Sequence, residues 1–422
     1  MGLGIGPSIG AIADDLTGAT DLALTLARGG MRVRQTVGLP SARALADLTE
    51  SDVVVVSLKS RAIPAAEAVA QSVAAAKSLM SIGVKQLFFK YCSTFDSTDA
   101  GNIGPVIEAL MELTGAVRTL ACPAFPTNGR TVYKGHLFVG DLLLSDSGMK
   151  DHPLTPMRDA NLVRILTRQT RVPVSLIDIA TVRRGADALR TALDAVQGVA
   201  VIDALDDADL VTIGTAAQGL QLITGGSGVA IGLPATHGYA AQRVTRGRPT
   251  PSGRAAVLAG SCSTATLRQI RVAQAGGMPT VQLDSLTLAK DQTALHDAIA
   301  FAAGTADDAV PVIYASADAA TVRRAQDQLG LDRSGEIVEH ALGEIAAALA
   351  DRGFDRLLVA GGETSGAVIA RLGVTDLEVG PEIDPGVPWM LTEYLGRPMA
   401  LALKSGNFGA DDIFLAAWDK LR

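Results

Sequence analysis

Two adjacent carboxylates, Asp14 and Asp15, stand in the stretch Ile12-Ala13-Asp14-Asp15-Leu16-Thr17-Gly18-Ala19-Thr20-Asp21. Acidic groups with Thr and Gly between them are poor core filling and suit metal, hydroxyl or proton work. The same residues also make a solvated turn with an N-capping Asp. Lys59 and Arg61 follow the run Val53-Val54-Val55-Val56-Ser57-Leu58, Lys90 to Asp96 close Gln86-Leu87-Phe88-Phe89, and Asn128 with Arg130 follow Thr119-Leu120-Ala121-Cys122. Further along, glycine takes over. Gly260-Ser261-Cys262-Ser263, Gly361-Gly362-Glu363-Thr364-Ser365-Gly366 and Lys404-Ser405-Gly406-Asn407-Phe408-Gly409 each follow an apolar run. Paired glycines let backbone approach a phosphate closely, and a helix N-terminus behind them favours negative charge. A tight turn with a Ser or Thr cap is the structural alternative. None is a Walker A loop, because no Lys-Ser/Thr closes a GxxxxG spacing.

The elements that must position these groups follow from patterning. Short β-branched runs alternate with Ala/Leu-rich stretches, among them 65–80, 105–114, 161–169, 267–275 and 343–352, which read as helices. Pro64 suits the first turn of the helix that begins at Ala65. Strands alternating with helices predict an α/β fold of two domains, each with a mainly parallel sheet flanked by helices. The polar residues fall at strand carboxyl ends, the side of such a sheet where ligands bind. Four such loops in the first half argue for one pocket holding both cations and carboxylates. Residues 133–159 are irregular and hold His136, Asp151, His152, Thr155 and Arg158, and a loop of that length is often functional. Thr224-Gly225-Gly226-Ser227-Gly228 precedes the apolar run 229–233 and reads as an anion-holding turn or a tight turn alone. Gln242 to Arg254, with Arg243, Arg246, Arg248, Pro249, Pro251 and Gly253, is the expected linker. It sets the domains at 1–241 and 254–422.

Composition narrows the function. The chain has 422 residues, 48% hydrophobic but only 4% aromatic, so aliphatic side chains must fill the cores. The net charge of −7 argues against a general polyanion binder such as a nucleic-acid protein. Three scattered cysteines, Cys92, Cys122 and Cys262, give no disulfide framework, and the five histidines show no zinc spacing. No basic leader and no run of roughly 18 apolar residues is visible, so a cytoplasmic protein without membrane partners is expected. Association into a homo-oligomer is compatible with all of this. A nicotinamide dehydrogenase is disfavoured, since no GxGxxG follows a strand with an acidic residue about 20 positions on.

Taken together the motifs resemble the four-carbon acid sugar kinases, most closely the 3-oxo-tetronate 4-kinases. The resemblance rests on the stretch from Ile12 to Asp21, on Leu58-Lys59-Ser60-Arg61, on Gly361 to Gly366 and on Leu403 to Gly409. Leu154-Thr155-Pro156-Met157-Arg158-Asp159 also fits. These span nearly the whole chain in the family's order. The resemblance implies an N-terminal acid-sugar-binding domain, a C-terminal nucleotide-binding domain, and ATP-dependent phosphorylation of the terminal C4 hydroxyl, most closely 3-oxo-tetronate to its 4-phosphate. Threonate, erythronate or a related branched acid is the alternative acceptor, and a non-catalytic sugar-acid sensor is the remaining rival. It implies ATP contacts at Ser261 or Ser263, at Gly361, Gly362, Glu363 and Thr364, and around Gly406, with Mg²⁺ as the companion of ATP. Lys59, Arg61, Lys90 and Arg158 are the cations expected to meet the substrate carboxylate. Asp14 or Asp15 is the expected general base, with Asp96 in reserve; the metal ligands stay open.

Overall fold

A computed structural model describes residues 6–152, 155–241 and 248–421. Leu154 of the motif around Arg158, and Arg243, Val244 and Arg246 of the expected linker, lie outside the described residues. The chain divides into two compact units, Met1–Thr245 and Arg246–Arg422.

The main sheet of the first unit is built from β1 (Ile9–Ala13), β2 (Val33–Val37), β3 (Val53–Ser57), β4 (Gln86–Lys90), β5 (Arg118–Cys122), β9 (Val174–Ile177), β10 (Gly198–Ile202) and β11 (Leu222–Gly225). Their order is β2-β3-β1-β4-β11-β5-β10-β9, parallel throughout. Every residue of β1, β3 and β4 is buried. That is why Val53 to Val56 read as an unbroken apolar run: a parallel strand covered on both faces has no solvent side to alternate with, and each such Val contributes about 1.5–3 kcal/mol by burial. Ala13 pairs with Ser57 on one side and Lys90 on the other, and Lys90 with Gly225, so these strands end at one level.

A small antiparallel sheet of β6 (Arg130–Tyr133), β7 (His136–Val139) and β8 (Leu142–Leu143) occupies the first part of the stretch 133–159, expected to be irregular. Its turn at Lys134-Gly135 is fastened by the buried Asp203 carboxylate, which accepts both backbone N–H groups at 2.8 and 2.9 Å. Gly225, Gly226 and Gly228 also resolve. A Cβ on each would stand 2.3, 2.7 and 2.3 Å from the carbonyl oxygens of Cys122, Pro123 and Ala124. Their glycines serve close packing of two backbones, and the following apolar residues form a 3-10 helix, Ser227–Gly232.

In the second unit β12 (Arg254–Ala259), β13 (Thr280–Gln282), β14 (Val312–Tyr314), β15 (Phe354–Ala360), β16 (Asp376–Asp384), β17 (Val387–Tyr394) and β18 (Arg397–Lys404) form a sheet of order β13-β14-β12-β15-β18-β17-β16. The first five are parallel, and β17 and β16 run antiparallel as a hairpin. Trp389, fully buried, anchors the core on that side and donates its indole N–H to the Ala417 carbonyl at 3.1 Å. Ala259, Ala360 and Lys404 lie in register, so the three glycine turns that follow them leave the sheet side by side.

Candidate active site

In the first unit, three neighbouring strands deliver charge to one rim. Asp14 leaves β1, Arg61 lies on the loop after β3, and Lys90 ends β4. The backbone locks these loops together: Asp14 N–H donates to the Lys90 carbonyl at 3.1 Å, and the Asp14 carbonyl accepts from Ser60 and Arg61 N–H at 2.9 and 3.2 Å. Asn102 braces the same loop, donating to the carbonyls of Ser60 and Arg61.

Arg61 grips Asp14 with both prongs of its fork, Nε to Oδ2 at 2.9 Å and Nη2 to Oδ1 at 2.7 Å. Nη2 also lies 2.7 Å from Asp15 Oδ1, and Nη1 is 3.8 Å from Asp96. The planar fork that would suit a substrate carboxylate is therefore filled by the protein's own Asp14. The Asp14 side chain is only 5% exposed. Burial raises its carboxyl above the usual range, and Arg61 works against that rise.

Asp15 differs. It caps the helix Leu16–Arg28, its Oδ1 accepting Gly18 N–H at 2.9 Å, and its side chain is 29% exposed. Gly18 has no room for a side chain: a Cβ there would meet Asp15 Oδ1 at 2.3 Å and Lys90 Nζ at 2.7 Å. Lys90 is buried, and its ammonium donates one hydrogen bond, to the Tyr91 carbonyl at 2.9 Å. Asp21, one turn into the helix, faces this lysine; burial raises its carboxyl, and Lys90 opposes the rise. Asp21 stands in the same sequence stretch as Asp14 and Asp15, but a spacing of six from the capping Asp15 is not a same-face helical spacing, so its approach to Lys90 is a matter of the fold.

The loop after β4 is bent around Phe95, a buried non-glycine residue at φ 58°. Its ring packs edge-on against Tyr91 with centroids 5.4 Å apart. This conformation is costly for a side-chain-bearing residue and is held here by core packing. It turns out Asp96, whose Oδ1 accepts from the Thr94 hydroxyl at 2.6 Å. Burial pushes the Cys92 thiol up to about 11, so it stays protonated at neutral pH. Lys59 and Arg158 are exposed, and Arg158 makes no ion pair with a described residue. The structure thus brings Asp14, Asp15, Arg61, Lys90 and Asp96 together, and leaves Lys59 and Arg158 outside that group.

In the second unit the three glycine turns are cross-tied. Gly260 and Ser261 N–H both donate to the Ala360 carbonyl at 3.1 Å, and Gly361 N–H donates to the Lys404 carbonyl at 3.0 Å. Gly361 adopts φ 132°, a conformation open to glycine. Ser263 caps the helix Thr264–Ala275, accepting Thr266 N–H at 3.2 Å, and donates to the Gly406 carbonyl at 2.6 Å. Its hydroxyl is thereby occupied. Ser261 accepts from Ser263 N–H at 3.2 Å, which leaves its own proton for a ligand. Gly406 lies against both serines: a Cβ there would meet Ser261 Oγ at 2.2 Å and Ser263 Oγ at 3.1 Å.

A cavity of about 580 Å³ opens from the first two of these turns, lined by Ser261, Gly361, Gly362, Glu363 and Thr364, with Val322, Arg324 and Val338 also in its lining. Its size suits a nucleotide. Glu363 is exposed at the start of the helix Gly362–Leu372. Among the described residues no group of three or more His, Cys, Asp or Glu is placed to hold a metal. No described helix is long and apolar enough to cross a membrane.

Residues 9–233 match the model of a sugar-binding N-terminal domain, and residues 256–414 that of a nucleotide-binding C-terminal domain. A sugar-binding domain followed by a nucleotide-binding domain defines a kinase class. Within it, the chain belongs to the 3-oxo-tetronate kinase family. It is 51% identical to the 3-oxo-tetronate kinase of Cupriavidus necator, over 97% of this chain and 96% of that one. It is also 51% identical to the enzyme of that name from Pseudomonas fluorescens, over 98% and 97%. Two solved structures share the fold: a Salmonella typhimurium LT2 protein described as a tRNA synthase (TM-score 0.88, 40% identity, 97% of this chain and 98% of that one) and a Haemophilus influenzae protein (TM-score 0.83, 37% identity, 98% and 100%).

Proposed function

We propose that this chain transfers the γ-phosphoryl group of ATP to the C4 hydroxyl of 3-oxo-tetronate, giving 3-oxo-tetronate 4-phosphate and ADP. The observation that carries the substrate is identity of about half the residues, over nearly the whole chain, to relatives named for that reaction. The chemistry asks little covalent work of the protein; positioning and charge neutralisation dominate phosphoryl transfer. In the second unit, the turns at Gly362 and Gly406 hold the phosphates through backbone N–H groups, Gly361, whose own N–H is spent on the Lys404 carbonyl, gives the turn its shape, Ser261 adds a hydroxyl, and Thr364 lines the same wall. Ser263 serves as the cap that shapes the turn. Glu363 is the carboxylate best placed to share Mg²⁺, which supplies positive charge to the phosphate oxygens.

In the first unit, Lys90 is the cation for the substrate carboxylate: it is buried, it spends one donor on a carbonyl, and an ammonium in that setting favours an anion. Lys59 and Arg158 are kept as outer cations on the solvent side. Asp15 is the general base. It is the more exposed of the pair, and no hydrogen bond or ion pair with a described residue occupies its Oδ2, whereas both oxygens of Asp14 are held by Arg61. Asp14 and Arg61 then act as a brace that sets Asp15, and Asp96 accepts from a substrate hydroxyl. The domain limits remain 1–241 for acid-sugar binding and 254–422 for the nucleotide.

A coupled ADP-release assay over four-carbon acids and their 3-oxo forms tests the reading. The expected result is highest kcat/KM with 3-oxo-tetronate. A flat response across the panel refutes the kinase; a maximum at threonate or erythronate keeps the kinase and reassigns the acceptor.

A further inference from the structure

Lys404 has no part in the chemistry above, yet it is 1% exposed and makes no ion pair with any described residue. Its ammonium donates to the Ser405 carbonyl at 3.0 Å, the Gly406 carbonyl at 3.1 Å and the Thr266 hydroxyl at 3.2 Å. The Gly406 carbonyl also accepts from the hydroxyls of Ser263 at 2.6 Å and Thr266 at 2.9 Å. Two successive carbonyls are thus drawn to the inside of the last glycine turn. In a trans peptide the C=O and the following N–H point in opposite directions. Drawing in the carbonyls of Ser405 and Gly406 therefore turns out the N–H groups of Gly406 and Asn407, and neither donates to a described group. Backbone N–H groups presented in sequence, with a positive charge behind them, are an anion seat.

We propose that Lys404 is the positioning residue of the phosphate site: it holds the last glycine turn with the Gly406 and Asn407 amides facing the nucleotide phosphates, and it supplies the buried charge those phosphates answer. The proposal rests on the nucleotide reading of the second unit and adds Asn407, through its backbone, to the contacts. A buried cation without a carboxylate is costly, and burial brings the Lys404 ammonium down to about 8. Charged side chains on the neighbouring elements include Glu363 beside the Gly361 turn, Asp384, which accepts the Ala410 N–H, and the pair Arg268–Asp411, which is closed on itself at 2.9 Å. The phosphates of a nucleotide are the missing counter-charge. Their arrival favours the protonated lysine, so binding takes up a proton when the pH lies near or above about 8.

The test uses the full chain, with ADP as the probe in titration calorimetry run in two buffers of different ionisation enthalpy, alongside steady-state kinetics. For the wild type, net proton uptake on ADP binding and a KM for ATP that rises above about pH 8, with the acid-sugar KM flat over the same range, are expected. Lys404→Met is expected to weaken ADP at least about tenfold and to abolish the pH dependence. Lys404→Arg keeps the charge but does not titrate, so it is expected to restore much of the affinity while leaving the profile flat. Folded Lys404→Met with unchanged ADP affinity overturns the proposal. Where that variant does not fold, the wild type decides: no proton uptake across about pH 7–9 overturns it equally. A wild type that binds no ADP at all refutes the nucleotide reading itself, a different outcome from wild-type binding that Lys404 variants share.

Discussion

Removing Arg61 probes the rim of the first unit most sharply, because its fork is the main charge partner of the buried Asp14. Breaking a buried ion pair by deleting one partner costs about 3–5 kcal/mol. Arg61 is 24% exposed, so its loss also lets water reach the carboxylate, and about 2–3 kcal/mol is the better expectation for Arg61→Met. For a unit of this size that corresponds to a fall of about 5–10 °C in its melting transition. The pH dependence has a definite sign. Burial already raises the Asp14 carboxyl, and without Arg61 it rises further. The folded state then holds a proton that the unfolded chain has released, so stability increases as pH falls through the folded value and the penalty is fully present above it. Thermal unfolding by circular dichroism, near pH 7.5 and again near pH 5.5, should show the Arg61→Met deficit shrinking at the lower pH. Adding Asp14→Asn should recover most of the loss, since no unpaired carboxylate is left, and the cycle should give a coupling of about 1–3 kcal/mol. An Arg61→Met deficit that is the same at both pH values, or that Asp14→Asn does not relieve, would refute the brace.

Asp15→Asn should lower kcat by about 10²–10⁴-fold with ADP affinity intact; if Asp14→Asn is the more damaging of the two, or if both keep near-normal turnover, Asp15 is not the base. Lys90→Met should raise the acid-sugar KM by about 10–100-fold, the worth of a charge-assisted bond of about 1.5–3 kcal/mol, and leave the ATP KM alone; the reverse split would move Lys90 off the substrate. Gly361→Ala forces a side chain to φ 132° at a cost of about 1–3 kcal/mol, and the expected reading is a raised ATP KM with an unchanged acid-sugar KM. Ser261→Ala should raise the ATP KM about 3–10-fold without moving the melting point, while Ser263→Ala should lower stability by about 1 kcal/mol as a lost cap; interchanged results would exchange their roles.

Much of this was legible because composition and burial speak the same language in parallel sheets. The all-Val run of β3 and the Ala-rich helix Ala65–Ser81 leave little choice of structure, and polar residues after such strands mark the functional edge. What stayed hidden depends on partners remote in sequence. The hairpin Asp376–Tyr394 lacks a clean alternation, since its second strand is buried at six successive residues against Trp389's surroundings. The sheet at 130–143 needs Asp203 to fasten its turn. Gly225 to Gly228 look like an anion loop until the carbonyls of 122–124 are seen opposite them. In the site, residue types were readable but allegiance was not. That Arg61 answers Asp14 across 47 positions, or that Ser263 is spent on Gly406 while Ser261 is not, is a matter of geometry alone.

The cross-tied glycine turns bear on modularity. Each is completed by another: the turn at Gly260 leans on Ala360, that at Gly361 on Lys404, and that at Gly406 on Ser263. The smallest transplantable piece is therefore a trio of strands, β12, β15 and β18, whose turns are separated by about a hundred and then about forty residues of chain. Grafting any one loop onto another scaffold would carry its glycines but not its shape. The opposite rim is tied in its own way, with Gly253 N–H donating to Asp355 and Arg254 donating to the carbonyls of Ala302, Ala303 and Thr305, so a transplant must carry both ends of these strands.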